Sequence, residues 1–192
     1  MDAKFERDKF LMHEKHFTLG DKYLVYDEMG EPLFYVEREK LKVHADIHLF
    51  DDEGKTRELL TIKDRSVFDA NATMDVMDVE TGQLLGSFKR KALASLLRRT
   101  WQIVDSSGAT VGYAKEDSLA KALLRRLFRA RFGAFLKTDF VVNLGGREVG
   151  RFVRKWTIRD RYVLDLSDDS AREFDRRLAV GLGVILDSAE GR

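Results

Sequence analysis

The chain contains no cysteine. That excludes disulfides, thiolate metal sites and cysteine nucleophiles together, and leaves no sign of an oxidising compartment. No charge of either sign is in excess. Lys and Arg number 34 against 33 for Asp and Glu, a formal net charge of +1, so no global field draws the chain to nucleic acid or to an anionic membrane. Any electrostatic partner has to be met by a local patch. Long hydrophobic runs are also missing: the longest is Leu178 to Leu186, nine residues, where a membrane-spanning helix needs about twenty. The opening residues, Met1-Asp2-Ala3-Lys4-Phe5-Glu6-Arg7-Asp8, hold no apolar stretch of the kind a signal peptide uses. A cytoplasmic protein is therefore expected.

What is present is a core's worth of apolar residues, 44% of 192, and a repeating pattern. Residues 1–192 are expected to form one domain. Alternating apolar residues, an acidic residue, a glycine a few positions on and then apolar residues again recur along the chain. Tyr23 to Tyr26, Asp27 and Gly30 lead into Leu33 to Val36; Ile47 to Phe50, Asp51 and Gly54 lead into Leu59 to Ile62. The pattern returns around Asp78 and Gly82, around Asp105 and Gly108, and around Asn143 and Gly146. The turn glycines follow one another at intervals of 24, 28, 26 and 38 residues. The carboxylate or amide hydrogen-bonds its own backbone to start a turn, and glycine supplies the positive φ that other residues resist. Each copy reads as a β-hairpin. Tyr162 to Leu166 begins a sixth strand pair, with no glycine in the turn that follows.

Consecutive hairpins form an antiparallel meander, and about twelve strands in one sheet curl or close. Closure removes exposed edges. The expected fold is thus mainly β, a closed antiparallel barrel of about twelve strands. So many strands enclose more space than their own side chains occupy, and the C-terminal run is the candidate filler. Leu178 to Leu186 has no polar face, and a helix apolar all round is buried all round. Gly181 and Gly183 each cost a helix about 1 kcal/mol, which suggests close approach by neighbouring groups. A buried strand is the competing reading, because a short apolar run cannot be typed by periodicity alone.

Three stretches point to a family: Phe17-Thr18-Leu19-Gly20-Asp21-Lys22-Tyr23 to Asp27; Gly30-Glu31-Pro32-Leu33-Phe34-Tyr35-Val36; and Asp175-Arg176-Arg177-Leu178-Ala179-Val180 to Ile185-Leu186-Asp187. They resemble the LURP-one-related proteins, which are grouped with the Tubby C-terminal domain and the phospholipid scramblases. The resemblance covers almost the whole chain and implies a twelve-stranded barrel wrapped around a C-terminal hydrophobic helix. Tubby-like domains bind phosphoinositide headgroups through basic surface residues, and scramblases are associated with calcium and lipid movement. No functional residue of those proteins maps onto a matching motif here. Asp165, Asp168, Asp169 and Glu173 stand where scramblases carry an acidic segment, but the alternating oxygen ligands and central glycine of a calcium loop are missing. They read as solvated turn carboxylates.

No catalytic motif appears: no Gly-x-Ser-x-Gly, phosphate loop or dinucleotide fingerprint. No enzyme, metal or cofactor is expected. His44 and His48 on one strand would stand about 13 Å apart, too far for one metal ion, and His13 and His16 read as ordinary surface or partly buried side chains. Trp101 and Trp156 read as strand core.

The strongest local signal is an insertion near 117–132. Wound as a helix, it puts Leu119, Ala120, Leu123, Leu124, Leu127 and Phe128 on one side and Lys121, Arg125, Arg126 and Arg129 on the other, with Asp117 as N-cap. Either its apolar face packs on the barrel, the commoner case, or it lies on an anionic membrane. A second basic cluster, Lys89, Arg90, Lys91, Arg98 and Arg99, brackets a short connector helix at 92–97. The leading expectation is a non-catalytic module that recognises anionic phospholipid headgroups or a membrane surface through these two clusters, peripheral at the membrane. A structural or protein-interaction scaffold and scramblase-related lipid handling are the alternatives. Nucleic acid is disfavoured, because no aromatic-interleaved or recognition-helix module accompanies the charge.

Overall fold

The computed structural model describes residues 2–15, 21–38, 45–65, 72–90, 99–117, 139–155 and 161–190. After a 3-10 turn at Ala3–Phe5 come β1 (Lys9–Lys15), β2 (Asp21–Tyr26), β3 (Pro32–Arg38), β4 (Asp46–Phe50), β5 (Glu58–Asp64) and β6 (Thr73–Asp78). Then follow β7 (Leu84–Arg90), β8 (Thr100–Asp105), β9 (Thr110–Glu116), β10 (Phe140–Leu144), β11 (Arg147–Lys155), β12 (Arg161–Asp165) and one helix, α1 (Arg176–Glu190). Each strand pairs antiparallel with its sequence neighbours, and β12 pairs with β1, so the twelve strands close into a barrel.

The five anticipated hairpins are β2–β3, β4–β5, β6–β7, β8–β9 and β10–β11. Their turns use the expected chemistry: Gly30, Gly82, Gly108 and Gly146 all have positive φ, and Asp27, Asp78 and Asp105 accept amide hydrogens from their own turns. The second hairpin differs, because Lys55 rather than Gly54 takes the left-handed conformation. Every hairpin also carries a register shift close to its turn, for example between Val25 and Tyr26 and between Ile103 and Val104. Bulges add twist, and their repetition curls the sheet toward closure. The sixth strand pair is not a hairpin. β12 runs on through residues 166–175 into α1, and its second partner is β1, with Phe10 opposite Leu164.

Period-two alternation sends one face of each strand inward, where Phe10, Val25, Leu49, Ile62, Phe88 and Phe152 are all fully buried. The C-terminal run is helical, not a strand, and every residue from Leu178 to Asp187 is buried. Its glycines face opposite sides of the ring. A Cβ at Gly181 would sit 3.3 Å from Val76 of β6, and one at Gly183 would overlap the Met12 thioether of β1 and stand 3.5 Å from Phe152 of β11. These are the close approaches that the glycine cost implied.

The barrel wall has a tight point of its own. A Cβ at Gly112 would overlap the Asn143 carbonyl oxygen and the Leu144 side chain. Backbone cannot yield as a side-chain tip does, so Gly112→Ala should destabilise the protein by about 3 kcal/mol, the upper range for overpacking. A urea midpoint unchanged by this substitution would contradict the spacing of β9 and β10.

The insertion near 117–132 and the connector at 92–97 lie outside the described residues, as do His16, His44 and Trp156. Trp101 is core, as expected.

Candidate functional site

An antiparallel meander places its connections alternately at two ends. At one end lie the five hairpin turns and the segment leading into α1, and here carboxylates organise the backbone. Asp105 takes hydrogen bonds from Ser107 and Ala109, which hold its carboxyl below the ordinary value. Burial raises the Asp78 carboxyl, but hydrogen bonds from Thr81 and Arg177 outweigh it and leave it lowered. Most cations at this end are neutralised one by one. Lys9 pairs with Glu28 at 3.0 Å, Arg147 with Glu173, Arg172 with Glu6, and Arg177 with both Asp78 and Asp175 at 2.6 Å.

The most buried pair joins Asp169 to Arg176, 2.6 Å apart and 4% and 2% exposed. Asp169 also accepts the amides of Glu173 and Phe174, and Arg176 reaches Asp8 at 2.9 Å. Asp169 therefore departs from the solvated carboxylate expected of it. It fastens the start of α1 to the barrel end and to the N-terminal segment.

Between the β8–β9 turn, the β10–β11 turn and the start of α1 lies a cavity of about 530 Å³. Its walls are Leu85, Ile103, Val111, Leu144, Phe174 and Leu178, and three carboxylates, Asp105, Glu173 and Asp175, also line it. Sequence reasoning missed this cavity, because its parts come from five separated stretches of chain.

The other end carries the expected basic residues. Lys89 stands opposite Gln102 and Arg90 opposite Trp101 across β7 and β8. Neither has a carboxylate partner among the described residues, and Arg90 is exposed. Arg99 is half-buried, and its backbone N–H donates to the buried Glu116 carboxylate at 3.2 Å. Lys115, which the sequence reading did not single out, lies beside Thr100 with its ammonium 4.7 Å from the Tyr113 ring centre. Lys91, Arg98, Lys121, Arg125, Arg126 and Arg129 lie outside the described residues. The backbone that flanks them does not: Glu116 N–H donates to Arg99 C=O at 3.0 Å and Asp117 N–H to Asp139 C=O at 2.8 Å. The described residues that flank 91–98 and 118–138 thus lie side by side on neighbouring strands at one barrel end.

Among the described residues no group of three His, Asp or Glu side chains is arranged to hold a metal ion. His48 instead lies 2.6 Å from Glu58 and 3.2 Å from Asp46 on the barrel wall. No helix among the described residues is long and apolar enough to cross a membrane.

A closed twelve-stranded antiparallel barrel with a buried C-terminal helix, bearing bulged Asp-turn hairpins, defines the structural class. Residues 8–187 match the family model described as LURP-one-related. The chain belongs to that family. No curated protein matches it.

Proposed function

We propose that this protein is a non-catalytic module that binds anionic phospholipid headgroups at a membrane surface, through the barrel end opposite the hairpin turns. The observation that carries this reading is the contrast between the ends. Most arginines at the turn end are paired with carboxylates, as Arg147, Arg172 and Arg177 are, whereas Lys89 and Arg90 have no carboxylate partner among the described residues. The side-by-side placement of the strand ends that flank both basic stretches supports a single basic face, to which Arg98, Arg99, Lys121, Arg125, Arg126 and Arg129 would add charge. Basic residues near an acidic leaflet contribute about 1 kcal/mol each, and the attraction is screened by salt. This reading makes the protein cytoplasmic and peripheral at the membrane.

The test is cosedimentation with phosphatidylcholine vesicles with and without phosphatidylserine, at low and high salt. Binding should require the acidic lipid and weaken with salt. The triple substitution Lys89→Gln, Arg90→Gln and Lys91→Gln should reduce partitioning about 100-fold, as about 3 kcal/mol implies. Equal binding to both vesicle types, or no loss in the triple variant, would sink the proposal.

A further inference from the structure

We infer that the cavity at the turn end is a binding site for a small apolar ammonium: a molecule with a primary amine head on a short hydrocarbon or aromatic body. Its volume of about 530 Å³ falls within the range of small-molecule pockets, which are mostly apolar with a few placed polar groups. The floor is permanent, because Ile103, Phe174 and Leu178 are buried core side chains held by the barrel wall and by α1. Val111 is 38% exposed and stands at the mouth.

The charge at the opening sets the ligand's sign. Three carboxylates line the cavity, and among the described residues no Lys, Arg or His does. Asp175 is neutralised by Arg177, which holds both of its oxygens. The other two are less engaged. Arg147 meets Glu173 at Oε1, and the Ser107 and Ala109 amides meet Asp105 at Oδ1. Each of those carboxylates has its second oxygen left for a further donor. An ammonium has three donors and no acceptor, so it suits such a pair, while its body replaces water against the apolar walls. A carboxylate or phosphate head would meet like charge. This site is at the opposite end from the proposed lipid-binding face and stands independently of it.

The experiment is a protein-observed NMR titration of the full chain with hexylammonium, hexanol and hexanoate in separate arms. Hexylammonium should perturb the amides of Val111, Gly145, Phe174 and Leu178, and should bind about tenfold more tightly than hexanol, as two partly exposed ion pairs allow. Hexanoate should bind most weakly. The double variant Asp105→Asn, Glu173→Gln keeps an acceptor for each turn amide and should abolish the preference over hexanol. Val111→Trp, at an exposed position, should fill the mouth and abolish binding of all three without lowering the melting temperature. The inference is overturned if these amides do not move by about 10 mM ligand, if hexanol or hexanoate binds as tightly as hexylammonium, or if either variant leaves hexylammonium binding intact.

Discussion

Asp169→Asn should lower the stability of this protein by about 3 kcal/mol, even though it replaces a single oxygen. Asp169 Oδ1 accepts the Glu173 amide, while Oδ2 accepts both the Phe174 amide and the Arg176 guanidinium at 2.6 Å. An asparagine has one oxygen for these two groups of donors, and its NH₂ meets whichever donor is left. Arg176 is 2% exposed and cannot reach water to recover its solvation. Removing one partner of a buried pair typically costs 3–5 kcal/mol, because the other charge is stranded. The Asp8 carboxylate, half-exposed and 2.9 Å from Arg176, retains part of the compensation and places the expected loss at about the lower bound. Chemical denaturation of the single variants and of Asp169→Ala with Arg176→Met checks the argument. The double substitution should recover stability relative to Asp169→Ala, since it removes the stranded charge as well.

The same pair sets a pH dependence. Burial raises the Asp169 carboxyl, but hydrogen bonds from Phe174 and Arg176 outweigh it, so the folded value lies below the ordinary 3.8. A depressed carboxylate stabilises the fold fully above its unfolded value, and that stabilisation is lost as pH falls through the lower folded one. The stability gap between the wild type and Asp169→Asn should therefore be widest at neutral pH and narrow below about pH 4. A gap that does not change between neutral and acid pH would exclude the ion pair as its source.

Substitution of Leu182 is expected to have a still larger effect. This residue is 0% exposed and lies between the two glycines whose neighbours come from opposite sides of the ring. Leu182→Ala leaves a cavity that such close contacts prevent the walls from closing, at a cost of about 4 kcal/mol within the 2–5 kcal/mol range for buried leucines. Leu182→Asp puts a carboxylate where the surrounding side chains are apolar, and its cost exceeds what a marginally stable domain holds in reserve. Trp101 is 3% exposed, so in a Trp156→Phe background its fluorescence reports the core. We expect a lowered but cooperative urea transition for Leu182→Ala, and solvent-exposed tryptophan emission with no cooperative transition for Leu182→Asp. Wild-type emission and a normal transition in the aspartate variant would mean that α1 does not fill the barrel.

Much of this architecture was legible because it is local. Alternation such as Ile47-His48-Leu49 needs only the two-residue period of a strand, and Asp105 with Gly108 needs only the hydrogen bonds and φ angles of its own turn. The unbroken apolar run ending at Leu186 likewise demands burial whatever surrounds it. β1 was less visible: Phe10 and Met12 alternate inward, but the charged residues around them mask the pattern. The Asp169–Arg176 pair gave no separate signal, since an acidic turn looks the same whether its carboxylate faces water or a guanidinium.

By itself the sequence therefore determined the five hairpins, most of their turns and the burial of the C-terminal run, because each depends on forces acting over a few neighbouring residues, whereas the choice of helix over strand for that run came from the structure. Only the tertiary structure decided that β12 closes on β1, that the strand ends flanking the two basic stretches lie at the same end, and that Asp105 and Glu173 share a cavity. Those outcomes depend on how strands distant in the chain pair and twist around a common helix. Residue order constrains such pairings only through the whole set of contacts together.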